Sequence, residues 1–192
     1  MQAIYDYLYK PGLPLQTMGI IVGVFLLVTH LFALIKPDLA KDFLSKFPRH
    51  EKIGIVLCVI AFAWGLVVWT GMDLGEFYWA ERYVQLIIIA VGVGVLVYVR
   101  EFLAVRSLGF LLILVGAPIL DSAFLKDPVS RLLLVALAYA GILLGMFWMG
   151  MPYLLRNAIS WVLKVPGRFT IGALAGAVYG VVVLVCAIVL WG

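Results

Sequence analysis

The chain has 192 residues, of which 66% are hydrophobic and 12% are charged, and its formal net charge is +4. Soluble domains carry about 25% charged residues, so this composition excludes an ordinary water-soluble domain and predicts a chain that lipid solvates. The excess positive charge comes from the segments between apolar runs, so it indicates orientation in a membrane and not nucleic-acid binding.

Six apolar runs predict six membrane-spanning α-helices, each close to the roughly 20 residues that cross the hydrocarbon core. Backbone groups in lipid must bond to one another, and these runs do not alternate as barrel strands do, so helices are expected. The predicted fold class is all-α, a polytopic transmembrane helical bundle that forms a single integral membrane domain over residues 1–192. The predicted spans are 13–35, 53–72, 83–99, 102–120, 132–155 and 169–191.

Basic residues in the connectors set the predicted orientation. Loops one, three and five, with the adjoining span ends, hold ten lysines and arginines, whereas the other side holds four. The positive-inside rule therefore places these three loops in the cytoplasm and both termini outside. We expect an integral protein of the bacterial cytoplasmic membrane. The ten are Lys36, Lys41, Lys46, Arg49, Lys52, Arg100, Arg106, Arg156, Lys164 and Arg168, and the four are Lys10, Arg82, Lys126 and Arg131.

The first span contains His30, about 8 Å from its inner end at a rise of about 1.5 Å per residue. Ionisable residues inside a membrane are functional hypotheses by default. The only other histidine, His50, lies in a connector, so haem with two axial histidines is not expected, and no other cofactor or metal is predicted. We interpret His30 as an interhelical hydrogen-bond donor or a snorkelling residue, with a proton or ligand role as the alternative.

Two cytoplasmic loops are predicted to form helices that lie in the headgroup layer. The fifth loop, RNAISWVLK, either forms such a helix or continues the fifth span. Basic residues on these loops would attract anionic lipid or an acidic partner, and plain membrane anchoring is the preferred interpretation. In the first loop, PDLAKDFLSKF, one helical face carries Leu39, Phe43, Leu44 and Phe47.

The third loop is the most charge-dense element at the inner boundary, with Arg100, Glu101 and Arg106. If the fourth helix begins near Arg100, the guanidinium of Arg106 lies inside the edge of the hydrocarbon layer. It then snorkels to the headgroups or needs a partner, for which a carbonyl, His30, a lipid phosphate and another subunit are the alternatives.

The fourth span contains Pro118 near its outer end. Proline frees a carbonyl one turn earlier and can kink or end a helix. We therefore interpret this segment mostly as the outer end of the helix, within the predicted span 102–120, and Asp121 could cap a following short segment.

Glycines at four-residue spacing predict close helix packing, because helices in lipid approach one another through small residues. The sixth span carries the longest such stripe, and the first and fifth spans carry one pair each. The stripes serve packing within the monomer or docking to another subunit. The glycines concerned are Gly172, Gly176 and Gly180, Gly19 and Gly23, and Gly141 and Gly145.

Near the predicted midplane there is no charged residue or histidine, which argues against a proton pump of the carboxylate type. The polar atoms nearest the predicted midplane belong to aromatic side chains. These side chains indicate either core packing or a pocket for an apolar or aromatic ligand. No Walker, zinc, nucleophile-elbow or dinucleotide motif is present. The aromatic residues are Trp64, Tyr139, Trp148 and Tyr179.

The outer loop DLGEFYWAER contains Asp73, Glu76 and Glu81. Neighbouring carboxylates can perform acid–base work or bind cations. No histidine or cysteine accompanies them on that side, so we interpret them as a solvated acidic loop.

These observations favour a non-enzymatic membrane protein that works by association. It would be an accessory or scaffold subunit of a larger membrane complex, or self-associate through its glycine faces. The expected partners are the bilayer, including anionic lipids, and other membrane subunits or a second copy, but not nucleic acid.

The alternative is a small transporter or a substrate-capture component for an apolar or aromatic solute. Six spans in 192 residues make the chain similar in size and span count to the vitamin-binding components of energy-coupling importers. A membrane-embedded enzyme is the third hypothesis, and it would depend on His30, the inner arginines or the outer carboxylates.

Overall fold

The computed structural model describes residues 5, 6, 9 and 12–191. Within this part the chain forms eight α-helices and no β-strand, which confirms the predicted all-α fold class. The helices are α1 (Leu15–Ile35), α2 (Pro37–Lys46), α3 (Glu51–Gly71), α4 (Glu81–Tyr98), α5 (Leu103–Ala123), α6 (Leu132–Gly150), α7 (Tyr153–Leu163) and α8 (Pro166–Val189).

Six of these helices, α1, α3, α4, α5, α6 and α8, are long and apolar enough to cross a membrane. Successive long helices run in opposite directions, so their connectors collect at two ends of the bundle. The basic end holds segments 36–50, 99–102 and 151–165, and the opposite end holds segments 72–80 and 124–131. Assignment of the basic end to the cytoplasm stays a prediction.

Four helices meet near the opposite end in a buried cluster that we call the four-helix core. Two hydrogen bonds beside this core link α8 and its end to α6 and the segment before α6. The Tyr179 hydroxyl donates to the Leu133 carbonyl at 2.7 Å, and the Trp191 indole donates to the Ser130 hydroxyl at 2.8 Å. The core consists of Leu15 and Met18 from α1, Ile119 and Ala123 from α5, Leu134 and Ala138 from α6, and Val183, Ala187 and Trp191 from α8 and its end.

The first and last long helices, α1 and α8, form one of the two most extensive helix pairs. Glycine allows their backbones to approach closely: a Cβ at Gly180 would lie 3.0 Å from the Cβ of Leu26 and 3.1 Å from the carbonyl oxygen of Gly23. Close backbone approach maximises van der Waals contact, which is a main force between helices in lipid.

Helices α5 and α6 form the other extensive pair, and α3 packs on the far side of α5. Gly109 and Gly145 face each other across the α5–α6 contact, where a Cβ at Gly109 would lie 2.7 Å from the Gly145 carbonyl oxygen. Gly54 serves the α3–α5 contact, since a Cβ there would lie 2.8 Å from the Ala104 nitrogen. Helix α4 lies at the edge and packs mainly against α3.

Two prolines have opposite effects on the predicted helix bounds. The fifth span was predicted over 132–155, but α6 ends at Gly150 and α7 begins at Tyr153. Pro152 lies between them, and its ring and missing N–H prevent continuation of the helix. RNAISWVLK therefore belongs to a separate helix and does not continue the fifth span.

The fourth span extends three residues beyond its predicted end at residue 120, and Pro118 does not end it. Helix α5 continues through Pro118 to Ala123, so Asp121 lies within the helix and does not cap a new segment. Ile119 and Ala123 are 5% and 2% exposed in the four-helix core. Burial of this last turn against three other helices outweighs the lost hydrogen bond of the proline.

Candidate functional site

An open apolar cavity of about 670 Å³ lies at the basic end, bordered by α1, α2, α7 and α8. Its inner wall is formed by Ala40, Phe169 and Ala173, which are all buried. Its mouth is lined by Val28 and Phe32, which are about half exposed and face lipid in a membrane. We call it the apolar cavity.

The two short helices close this cavity from the basic end. Pro37 begins α2 directly after the end of α1, and α2 turns its Phe43 and Leu44 towards the cavity. Helix α7 contributes Val162. The sequence predicted both short amphipathic helices, although it gave no indication that they meet over the ends of α1 and α8.

Gly172 keeps part of the apolar cavity open. No heavy atom lies within 4 Å of the position that its Cβ would occupy, in contrast to Gly176 and Gly180 on the same stripe. Gly172 also lines the cavity directly. A larger side chain at this position would project into empty space.

His30 is the ionisable side chain in the lining of the apolar cavity. Its Nδ1 lies 2.7 Å from the Leu26 carbonyl oxygen, so Nδ1 carries a hydrogen and donates it. The neighbouring Thr29 hydroxyl donates to the Phe25 and Leu26 carbonyls at 2.7 and 3.1 Å. The imidazole packs directly over Gly176, which leaves room for it between α1 and α8. In a neutral ring Nε2 is then a hydrogen-bond acceptor.

A lysine lies beside the cavity wall. The Lys41 ammonium group is 5.3 Å from the centre of the Phe169 ring. Lys41 follows the lining residue Ala40 on α2, so a positive charge is available where the cavity meets the basic end. This combination of apolar lining and adjacent cation suits a molecule with an apolar chain and an anionic head.

Arg106 and His30 do not interact, although the sequence places them at a similar depth. Arg106 donates from Nη1 to the Met149 carbonyl oxygen at 3.1 Å. This carbonyl lies in the last turn of α6, where helix carbonyls lack intrahelical partners and the helix dipole favours a cation. Of the four partners considered for Arg106 from the sequence, the structure shows a backbone carbonyl. Arg106 Nε is buried and has no hydrogen-bond partner among the described residues.

Arginine side chains also donate hydrogen bonds to backbone carbonyls at two other helix ends. Arg131 donates to the Ala123 carbonyl at the end of α5, at 2.9 Å. Arg168 donates to the Trp161 carbonyl near the end of α7, at 3.2 Å, and stacks on the Trp161 ring at 4.1 Å. These arginines, like Arg106, satisfy helix carbonyls and stabilise the fold.

Arg100 and Glu101 lie together at a second, charged cavity at the basic end. Arg100 Nη1 is 3.3 Å from Glu51 Oε1, and both side chains are largely exposed. The structure thus separates the four polar candidates of the inner layer into three places: His30 at the apolar cavity, Arg106 at the end of α6, and Arg100 with Glu101 at the charged cavity.

The four aromatic residues predicted for an apolar pocket do not line either cavity. Trp64 lies on α3 and donates to the Tyr9 hydroxyl at 3.0 Å. Tyr139 and Trp148 lie on α6, and Tyr179 bonds to the Leu133 carbonyl. Burial raises the pKa of the Tyr9 hydroxyl from its ordinary value, against the opposing effect of its hydrogen bond with the Trp64 indole.

Most of the predicted glycine faces are occupied within the chain. Gly23 and Gly180 lie at the α1–α8 contact together with Gly19, which packs under Trp191, and Gly176, which packs under His30. On α6, Gly145 faces Gly109, whereas Gly141 makes an ordinary contact of 3.9 Å with Leu112. Docking of another subunit through these glycines stays a prediction.

The carboxylates and cysteines form no metal site in the described part of the chain. Asp73 accepts a hydrogen bond from the Gly75 backbone nitrogen at 3.0 Å and thereby shapes the loop before α4. Cys58 is buried on α3, and Cys186 lies on α8 as a second free thiol.

The architecture defines an integral membrane protein with six helices able to span the bilayer. Comparisons with protein-family models, with curated proteins and with solved structures give no match.

Proposed function

We propose that the protein is a non-enzymatic membrane component that captures an anionic amphiphile with an apolar chain, of the fatty-acid type. The apolar cavity is the observation that supports this function. Its volume of about 670 Å³ falls within the range of about 300–1,000 Å³ that is usual for small-molecule sites.

The lining favours a chain-like ligand over a polar solute. Aliphatic and phenyl groups form almost the whole wall, and the Thr29 hydroxyl is engaged within its own helix. His30 places its imidazole in the lining, and Lys41 supplies the positive charge beside the wall that attracts an anionic head. An acyl chain enters such a site directly from the bilayer through the half-exposed mouth, and its carboxylate then lies near the basic end.

Gly172→Leu is expected to block the cavity without disturbing the helix pair. The protein in nanodiscs would be photolabelled with a palmitic acid that carries a diazirine on its chain, and labelled peptides would be mapped by mass spectrometry. We expect wild-type labelling in α1, α2, α7 and α8. The variant should show at least about tenfold less labelling, which corresponds to about 1.4 kcal/mol of binding free energy.

Gly94→Leu is the matched control for this experiment. Gly94 also lies in a long helix, and its Cβ position has no heavy atom within 4 Å, but it is on α4, away from the cavity. It should leave the labelling unchanged. Equal labelling of wild type and Gly172→Leu, or labelling confined to other helices, would refute the proposed capture function.

Association with other subunits or with a second copy is the competing proposal. The glycine faces are mostly occupied, so its support is the edge helix α4. The span that contains α4 is the least buried of the six, and Val93 and Val97 on it are more than half exposed. If α4 mediates self-association, native mass measurement after gentle extraction should give a dimer or larger particle that Val93→Trp converts to monomer.

A control tests whether such an effect is specific to α4. Ile188 lies on a different helix, α8, and is 59% exposed against 56% for Val93, so Ile188→Trp should leave the particle mass unchanged. A strictly monomeric wild-type particle without other subunits would eliminate the association role.

A further inference from the structure

We propose that the charged cavity at the basic end binds a phosphate group, as carried by a phospholipid headgroup or by a soluble phosphate ester. This cavity has a volume of about 560 Å³ and is separate from the apolar cavity. Its lining comes from the turn before α3, the start of α3, the connector before α5, and α7. These residues are Arg49, Glu51, Arg100, Glu101, Phe102 and Arg156.

Three arginines converge on this cavity from distant parts of the chain. Arg49, Arg100 and Arg156 belong to different segments, and only the fold brings them together. A guanidinium presents a planar set of donors that matches the oxygens of a phosphate. Three of them around one cavity can hold a phosphate from several sides.

These arginines differ from the three that satisfy helix carbonyls. Within the described part of the chain, Arg49 and Arg156 form no ion pair and donate to no helix carbonyl. Arg156 contacts the side chain of its neighbour Asn157 at 3.1 Å, and Arg100 pairs only with Glu51. Because that pair is largely exposed, it is weak and can yield to a stronger acceptor.

The charge balance of the cavity favours one anionic group. Three guanidinium groups and the carboxylates of Glu51 and Glu101 leave one net positive charge in the lining. A phosphodiester carries one negative charge, so its binding neutralises the cavity and relieves the repulsion among the arginines.

The residue before α5 has an unusual backbone conformation beside the arginines. Phe102 precedes α5 in a left-handed conformation with φ 55°, and no side chain caps the helix. Such a conformation is strained for a residue with a side chain, and strain of this kind clusters at binding sites. It holds the Phe102 ring beneath the Arg156 guanidinium at 5.8 Å. The N–H groups of Leu103 and Val105 donate to the Arg100 and Phe102 carbonyls at 3.4 and 3.0 Å, so the arginines, and not the helix terminus, supply the donors for the phosphate.

The test compares the full-length protein with Arg49→Gln/Arg156→Gln. In the first arm, native mass spectrometry measures phospholipid retained from nanodiscs of phosphatidylglycerol or phosphatidylcholine. In the second arm, thermal stability in lipid-free detergent is followed during titration with inorganic phosphate. We expect wild type to bind in at least one arm, and the double variant to bind at least about tenfold more weakly.

The two arms identify the source of the phosphate. Retention of phospholipid without a response to inorganic phosphate assigns a headgroup, whereas a response to inorganic phosphate assigns a soluble ester. Lys164→Gln is the matched control, because Lys164 is exposed near the end of α7 and does not line the cavity. All three substituted positions are exposed, so these variants are expected to fold.

Two results would overturn the proposal. Wild-type protein that binds in neither arm has no phosphate site. A Lys164→Gln variant that loses as much binding as the double variant shows that the basic end attracts anions only by its overall charge.

Discussion

Gly109→Leu is expected to lower the unfolding temperature of the purified protein by about 2–12 °C. A Cβ at this position would lie 2.7 Å from the Gly145 carbonyl oxygen and 3.2 Å from the Met149 nitrogen, and backbone atoms cannot move aside without separating α5 from α6. Overpacking usually costs about 1–3 kcal/mol, and about 1 kcal/mol shifts the unfolding temperature by about 2–4 °C at this chain length.

Gly94→Leu provides the comparison for this measurement. The same chemical change is made inside a long helix, but no heavy atom lies within 4 Å of the new Cβ. We expect an unchanged or slightly higher unfolding temperature, because leucine is the better helix former. If both variants lose the same stability, the α5–α6 contact is not the cause.

Leu134→Ala is expected to destabilise the protein by about 2–5 kcal/mol, the range for removal of a large buried side chain. Leu134 is 0% exposed in the four-helix core, where the first turns of α6 contact the ends of α5 and α8. The cavity left behind cannot fill by collapse, since three other helices hold its walls. Unfolding followed in increasing denaturing detergent measures the difference.

Leu132→Ala is the control, two residues away on the same helix. Leu132 is 53% exposed, so its truncation removes contacts with lipid and leaves no internal cavity. A loss similar to that of Leu134→Ala would contradict the location of the four-helix core.

The number and type of the helices could be predicted from the sequence because the cost of an unbonded backbone in lipid leaves few alternatives. Helix partners could not be predicted in the same way. Glycines at four-residue spacing, such as those that include Gly23 and Gly180, predict that a helix has a close neighbour. The spacing does not identify which helix that neighbour is. Only the structure shows that α1 pairs with α8.

Pro118 and Pro152 show why local rules fail at some positions. Both prolines remove the same hydrogen bond and introduce the same steric conflict. Pro118 is followed by Ile119 and Ala123, which the four-helix core buries, whereas Tyr153 after Pro152 is 45% exposed. Tertiary packing therefore decides whether the helix continues, and packing is not visible in the sequence around either proline.

The candidate sites were only partly predictable for a related reason. Position along a span follows from counting residues, and His30 lies five residues before the end of α1 at the basic end. The direction that a residue faces around the bundle does not follow from this count. His30 lies between α1 and α8, whereas Arg106 at similar depth turns towards α6. The convergence of Arg49, Arg100 and Arg156 likewise requires the fold.

The pairing of α1 with α8 has a consequence for biosynthesis. Synthesis proceeds at about 5–20 residues per second, and α8 emerges roughly 130 residues after α1, so α1 waits on the order of ten seconds for its principal neighbour. During that interval the glycine face around Gly23 is exposed to lipid or to the insertion machinery. The bundle is therefore completed late, because α1 reaches its final place only when α8 has entered the membrane.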